Sequence, residues 1–221
     1  MAAGRHAARD IGAVLAKAPV IPVLTLSGAE DGVPVARALV TGGLRVLEIT
    51  LRTDGALEAL RAIVAEVPEA IAGVGTVLAP SQFAEAQRAG AQFAVSPGHT
   101  TALLDAARAV DLPYLPGVAT VSEAMELAER GYRYLKFFPA ASAGGTDALR
   151  QIAGPLPDLR FCPTGGIDDR TAAAYLALPN VACVGGSWPA PASAIGARDW
   201  PRIEALAAAA AALTRAVGAV D

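Results

Sequence analysis

An α/β fold with a parallel sheet closed into a (β/α)8 barrel is predicted by three features of this sequence. Short apolar runs of β type alternate with alanine-rich helical stretches from residue 20 onward. Parallel strands are covered on both faces and therefore read as near-continuous apolar runs. The alternation repeats eight times, the number at which such a sheet closes on itself. The polar residues capable of chemistry follow the apolar runs, and in these barrels the chemistry sits at the C-terminal ends of the strands.

The first strand is expected at residues 20–26 and its helix at 32–42, stopped by the pair Gly42 and Gly43. The second strand is 44–50 and its helix 54–66, with Thr53 or Asp54 as the N-cap because their oxygens can accept from the first free N–H groups. Strand 70–74 with helix 80–89, strand 92–95 with helix 100–110, and strand 111–115 with helix 121–130 complete the third to fifth units. The sixth strand is 132–137, followed by a glycine-containing turn and a helix at 146–152. Strands 159–162 and 181–184 are the seventh and eighth, with helix 169–178 between them. Helices at 4–17 and 200–217 fall outside the repeat and are expected to cover one end or edge of the barrel.

With 221 residues and no composition break resembling a linker, the chain reads as one domain, 1–221, at the short end for a barrel. The apolar run 205–213, bounded by Glu204 and Thr214, falls short of the roughly 18 residues a membrane span needs. The N-terminal residues lack the continuous apolar stretch of a signal peptide, so the expectation is a cytoplasmic protein with no membrane partner. A net charge of −3 without a basic cluster argues against nucleic acid. Cys162 and Cys183 read as reduced core residues, and His6 and His99 stand far apart, so neither a metal site nor a cofactor is expected.

Of the 18 basic residues only Lys17 and Lys136 are lysines. An amine can lose its proton and attack a carbonyl, whereas a guanidinium stays charged, so Lys136 invites a chemical explanation. In a strand, Tyr134, Lys136 and Phe138 share one face. Rings beside the amine desolvate it and favour its neutral, nucleophilic form. The alternative is a lysine that lays its methylenes on apolar surface and keeps its head in water. Glu48, inside the apolar run VLEIT, is either the partner of a nearby arginine or a proton shuttle beside the lysine. Arg52 shares its parity if the strand continues so far, and its planar fork suits a carboxylate bidentately. Gly73, Gly75 and Thr76 make either a tight turn or a backbone that approaches a ligand closely. The glycine turns at Gly165 and Gly166 and at Gly185 and Gly186 follow the seventh and eighth strands, where barrels of this class commonly bind phosphate through backbone N–H groups.

The motifs LEITLRT at 47–53, GVGTVL at 73–78, QFAVSPG at 92–98, KFFPA at 136–140, RFCPTGGI at 160–167 and GGSW at 185–188 run in order along nearly the whole chain. Together they resemble the bacterial KDPG (2-dehydro-3-deoxy-6-phosphogluconate) and 4-hydroxy-2-oxoglutarate aldolase family. The resemblance implies a TIM barrel of the class I aldolase type and a metal-free lyase. Its substrate would be a small phosphorylated keto acid, cleaved to pyruvate and glyceraldehyde 3-phosphate in the Entner–Doudoroff route. It further implies that Lys136 forms the Schiff base and that Glu48 moves protons through a water. Arg52 and Thr76 would hold the carboxylate, and Pro97 and Phe138 would line the pyruvate pocket. Thr164, Gly165, Gly166, Gly186 and Ser187 would form the phosphate site, and the family forms homotrimers. Two other readings stand beside this one: the sister aldolase for the galactonate-derived epimer, and a phosphosugar-binding barrel without turnover, which leaves Lys136 and Glu48 unexplained.

Overall fold

A computed structural model describes residues 11–214. In chain order the elements are α1 (Ile11–Leu15), β1 (Val20–Leu24), α2 (Ala29–Thr41), β2 (Val46–Thr50), α3 (Ala56–Glu66), β3 (Ile71–Gly75), α4 (Ser81–Arg88), β4 (Ala94–Val95), α5 (Thr101–Ala109) and β5 (Tyr114–Leu115). They continue as β6 (Gly117–Val118), α6 (Val121–Glu129), β7 (Tyr134–Phe137), α7 (Gly145–Ala153), β8 (Arg160–Pro163), α8 (Ala172–Leu176), β9 (Val184–Gly186), α9 (Ala192–Gly196) and α10 (Trp200–Ala211). Every strand pairing is parallel.

Six strands form one sheet in the order β5-β4-β3-β2-β1-β9, and a second sheet runs β6-β7-β8. Each βα crossover covers the sheet with a helix, so every residue of β2 is buried. The two sheets meet at two places. Leu115 and Gly117 are separated only by Pro116, and single bridges pair Phe161 with Val181 and Thr164 with Gly185. The fifth strand, expected to end at residue 115, thus continues to Val118. Proline has no N–H to donate, which breaks the ladder at Pro116 while its carbonyl still accepts from Lys136 N–H at 2.9 Å. The eighth strand, expected at 181–184, forms a ladder only from Val184 to Gly186, because Val181 makes one bridge alone.

Four helix expectations need correction. Helix α2 begins at Ala29 rather than 32 and carries Pro34 inside it, while Glu30 and Asp31 occupy the first turn, where negative charge suits the helix dipole. Helix α3 is capped by Gly55 without any side-chain bond; Thr53 instead donates its hydroxyl to the Leu26 carbonyl, tying the loops after β2 and β1 together. Of the helix expected at 4–17, Ile11–Leu15 is observed and residues 4–10 lie outside the described residues. Helix α10 ends at Ala211, and residues 215–217 of the expected helix also lie outside them. Elsewhere local chemistry matches the sequence closely. Thr100 caps α5, and a capping box joins Thr120 and Glu123 at the start of α6. Among the described residues no helix is long and apolar enough to cross a membrane.

Candidate active site

Glu48 and Lys136, 88 residues apart in the chain, meet in the interior, where Lys136 Nζ donates to Glu48 Oε1 at 3.0 Å. Their exposures are 3% and 5%, so the pair is almost completely withdrawn from water. The register explains the meeting. On β1, β2 and β3, Val23, Glu48 and Gly73 are parallel partners; on β6, β7 and β8, Gly117, Lys136 and Cys162 are partners. In-register parallel residues point to the same face, so each triplet faces inward and the long lysine bridges the space between the sheets. The partner of Glu48 is therefore the lysine and not an arginine.

Room for this pair is made by glycines. A Cβ on Gly75 would lie 2.6 Å from Glu48 Cγ and closer still to Oε1, and one on Gly73 would lie 2.5 Å from the Phe93 ring. The close approach expected at these two glycines is thus filled from within the protein, by a carboxylate and a ring. Gly117, beside Lys136 in register, has its Cα against the backbone of the next loop, where a Cβ would lie 2.6 Å from Gly98 N. That lets the Pro97 loop close on the lysine strand. Gly117 was missed in the sequence because a lone glycine beside Pro116 reads as a turn.

Of the two rings expected beside the amine, Phe138 is there, its centroid 5.6 Å from Nζ. Tyr134 faces the other end of the strand and packs on α1, where a Cβ at Gly12 would lie 2.5 Å from the ring. Strand β2 ends at Thr50, so Arg52 stands on the turn beyond it rather than on the strand, exposed, with Nε donating to Thr76 Oγ1 at 3.3 Å. Thr76 follows β3 with φ 60, a left-handed conformation that a β-branched residue rarely adopts. Two expected carboxylate-binding groups are thus in contact at one rim.

The Pro97 loop is held from outside the sheet. Ser96 is buried and donates to the Gly98 carbonyl, while the Tyr114 hydroxyl lies 2.6 Å from Ser96 Oγ. Burial pushes the Tyr114 phenol well above its ordinary range, so it stays protonated and donates to the serine. His99 Nδ1 lies 3.0 Å from the Gly117 carbonyl, which can only accept, so that nitrogen carries the proton. Tyr114 and His99 escaped sequence reasoning because their roles depend on neighbours 18 residues away.

The two glycine pairs come together, but only Gly165 and Gly166 form a turn; Gly185 and Gly186, expected in a turn after the eighth strand, lie within β9. The Thr164–Gly185 bridge sets them side by side, and a Cβ on Gly185 would lie 3.1 Å from Thr164 Cγ2. Gly165 and Gly166 have φ 100 and 74, so the turn itself demands glycine there. Ala141 N–H binds the Gly165 carbonyl at 3.0 Å, fastening this turn to the loop after Phe138. Ser187 is exposed just beyond Gly186. The arrangement offers a buried amine with a carboxylate one hydrogen bond away, an arginine and a threonine hydroxyl beyond β2 and β3, and a glycine turn beyond β8 beside the glycine pair that ends β9. Among the described residues no cluster of His, Cys, Asp or Glu is arranged to hold a metal ion.

A sequence model of the family described as "KDPG and KHG aldolase" matches residues 11–206. The KHG/KDPG aldolase of Escherichia coli K12 is 54% identical over 194 residues, covering 88% of this chain and 91% of that protein. Among solved structures, the 2-keto-3-deoxy-6-phosphogluconate aldolase of Zymomonas mobilis ZM4 with 3-phosphoglycerate aligns with TM-score 0.91 and 47% identity, over 97% of this chain and all of its own. The KDPG aldolase of Legionella pneumophila, with pyruvate captured at low pH as a covalent carbinolamine intermediate, aligns with TM-score 0.89 and 49% identity, over 91% of this chain and 98% of its own.

Proposed function

The chain belongs to the KDPG and KHG aldolase family, and from that premise we propose that it cleaves 2-dehydro-3-deoxy-6-phosphogluconate to pyruvate and glyceraldehyde 3-phosphate through a Schiff base on Lys136. The same site accepts 4-hydroxy-2-oxoglutarate, giving pyruvate and glyoxylate. The observation that carries this reading is the buried 3.0 Å contact between Lys136 Nζ and Glu48 Oε1. A captured pyruvate carbinolamine in the Legionella relative supports covalent chemistry at a lysine here.

The residues divide the work as follows. Lys136 Nζ attacks the C2 carbonyl to form a carbinolamine, which loses water to give the imine. Glu48, positioned by Gly75, takes the C4 hydroxyl proton through a water as the C3–C4 bond breaks. The electron pair flows into the imine as an enamine, and the aldehyde leaves. Glu48 then returns a proton to the enamine carbon, and hydrolysis frees pyruvate and Lys136. Arg52 and Thr76 hold the C1 carboxylate, Pro97 and Phe138 close the pyruvate pocket, and Thr164, Gly165, Gly166, Gly186 and Ser187 hold the phosphate.

The two sheets are read as one (β/α)8 barrel forming a single domain, 1–221. Parallel partners share a face, and the register can be followed around the sheets as Glu48–Gly73, Val74–Ala94, Val95–Leu115, Gly117–Lys136–Cys162, Thr164–Gly185 and Gly185–Ile21. The circuit returns to β1 in phase with Val23 and Glu48. Helices α1 and α10 then serve as the extra helices, α1 under the β7 end through Gly12 and Tyr134. A homotrimer in the cytoplasm completes the reading. Exposed Leu78, Val121 and Met125 supply apolar surface for subunit contact, and a phosphorylated substrate is generated and kept inside cells.

Borohydride added with pyruvate tests the central step. It should inactivate the protein and leave one reduced pyruvyl group on Lys136, and Lys136→Arg should abolish both labelling and turnover. Labelling at Lys17, or turnover by Lys136→Arg, would overturn the assignment.

A further inference from the structure

We propose that Thr25 is a specificity-determining residue that accepts a hydrogen bond from the hydroxyl next to the aldehyde carbon of the three-carbon phosphorylated product; this rests on the aldolase reading above. Val23 is the parallel partner of Glu48, so its side chain points to the same interior face, and Thr25 stands one residue beyond the end of β1 at Leu24. Thr25 Oγ1 lies 3.1 Å from Thr50 Oγ1, and Thr50 is the residue two beyond Glu48 on that face. Thr50 is fully buried and donates its hydroxyl proton to the Leu24 carbonyl at 2.9 Å. A hydroxyl has one proton, so within the pair Thr25 donates and Thr50 accepts. Thr25, unlike Thr50, is exposed, and with its proton committed to Thr50 it offers an incoming group only its lone pairs. It is therefore matched to a hydroxyl donor.

Its place along the substrate follows from strand order. Strand β1 lies between β2 and β9, with Val23 paired to Glu48 on one side and Pro22 to Gly186 on the other. The bond-breaking carbon belongs beside Glu48 and Lys136, and the phosphate beside Gly186 and Ser187. The carbon between those two points carries the remaining hydroxyl of the substrate. Thr25 and that hydroxyl thus sit on the same short path. 4-Hydroxy-2-oxoglutarate has no hydroxyl at this carbon, so Thr25 separates the phosphorylated substrate from the unphosphorylated one without touching the phosphate.

The test is aldol condensation of pyruvate with D-glyceraldehyde 3-phosphate and with its 2-deoxy analogue, 3-oxopropyl phosphate. The wild-type protein should prefer the hydroxylated acceptor in kcat/KM. In Thr25→Val, which keeps the shape and removes the lone pairs, that preference should fall about tenfold through loss on the hydroxylated acceptor alone. Thr25→Ser should restore it. Equal losses on both acceptors, or no loss on either, would overturn the proposal. Exchange of pyruvate methyl protons by the wild-type protein in D₂O checks the aldolase reading separately: its absence sinks that reading, whereas exchange with an unaltered acceptor preference in Thr25→Val sinks only the role of Thr25.

Discussion

Replacing Gly75 by alanine should slow turnover without altering any group that takes part in the reaction. The added Cβ would lie 2.6 Å from Glu48 Cγ, where real contacts stop at 3.0 Å, so Cγ must retreat by at least 0.4 Å and the nearer Oε1 by more. Oε1 is the oxygen that meets Lys136 Nζ at 3.0 Å, and both partners are buried, where close packing resists displacement. A displacement on the order of 1 Å can cost about 10²-fold in rate, so kcat should fall by roughly 10- to 100-fold. The overpacked site should also lose about 1–3 kcal/mol of stability, a fall of several degrees in Tm for a chain of this size. Steady-state kinetics, pyruvate methyl-proton exchange and a melting curve would be measured together. Borohydride trapping on Lys136 should persist, since the nucleophile is untouched. Because Gly75→Ala and Glu48→Gln act through one carboxylate, their losses should not multiply in the double variant. A Gly75→Ala protein with kcat within twofold of wild type, or a double variant showing the full product of both losses, would refute this account of how Glu48 is positioned.

Glu48→Gln keeps the shape of the site and removes the proton acceptor, so kcat and methyl-proton exchange should fall by about 10² to 10⁴; exchange at the wild-type rate would show Glu48 to be only an ion-pair partner. Ser187→Ala should raise KM for the phosphorylated substrate several-fold and leave 4-hydroxy-2-oxoglutarate cleavage nearly unchanged, whereas equal effects on the two would remove Ser187 from the phosphate site. Desolvation pushes the Glu123 carboxyl up, but the N–H groups of Ala119 and Thr120 together outweigh it and hold it below its ordinary value near 4.5. A carboxyl depressed in the folded state stabilises above the unfolded value and loses that contribution as pH falls through the folded one. Melting temperature should therefore drop more steeply below about pH 4.5 in the wild type than in Glu123→Gln; parallel curves would mean that the capping box contributes nothing that titrates.

Much of the architecture was legible in the chain itself, because apolar β runs and alanine-rich helices differ in period and every strand is buried on both sides. Lys136 stood out because a chain that otherwise uses arginine kept an amine there, and the glycine pairs at 165–166 and 185–186 stood out by their place late in the repeat, although only Gly165 and Gly166 hold positive φ. Where local chemistry competes, the structure departs from what the sequence predicts. Pro116 split a strand that continues past it, and Thr53 gave its hydroxyl to Leu26 rather than to the helix it precedes. What only the tertiary structure decided was which residues share space across the sheets. The sequence left Glu48 a choice of partners, and register across the parallel strands turned it and Lys136 inward together. Gly73 and Gly75 could be read as a tight turn or as a close approach to a ligand, and Gly117 drew no reading, yet each is the gap into which a ring, a carboxylate or a neighbouring loop fits. Thr25 acquired meaning only when Thr50, 25 residues away, spent its single proton on Leu24. Spacing along the chain fixes which face a side chain takes within its own strand, but its partners across the interior are set by how the parallel strands slide against one another, and that is settled only when the whole sheet packs at once.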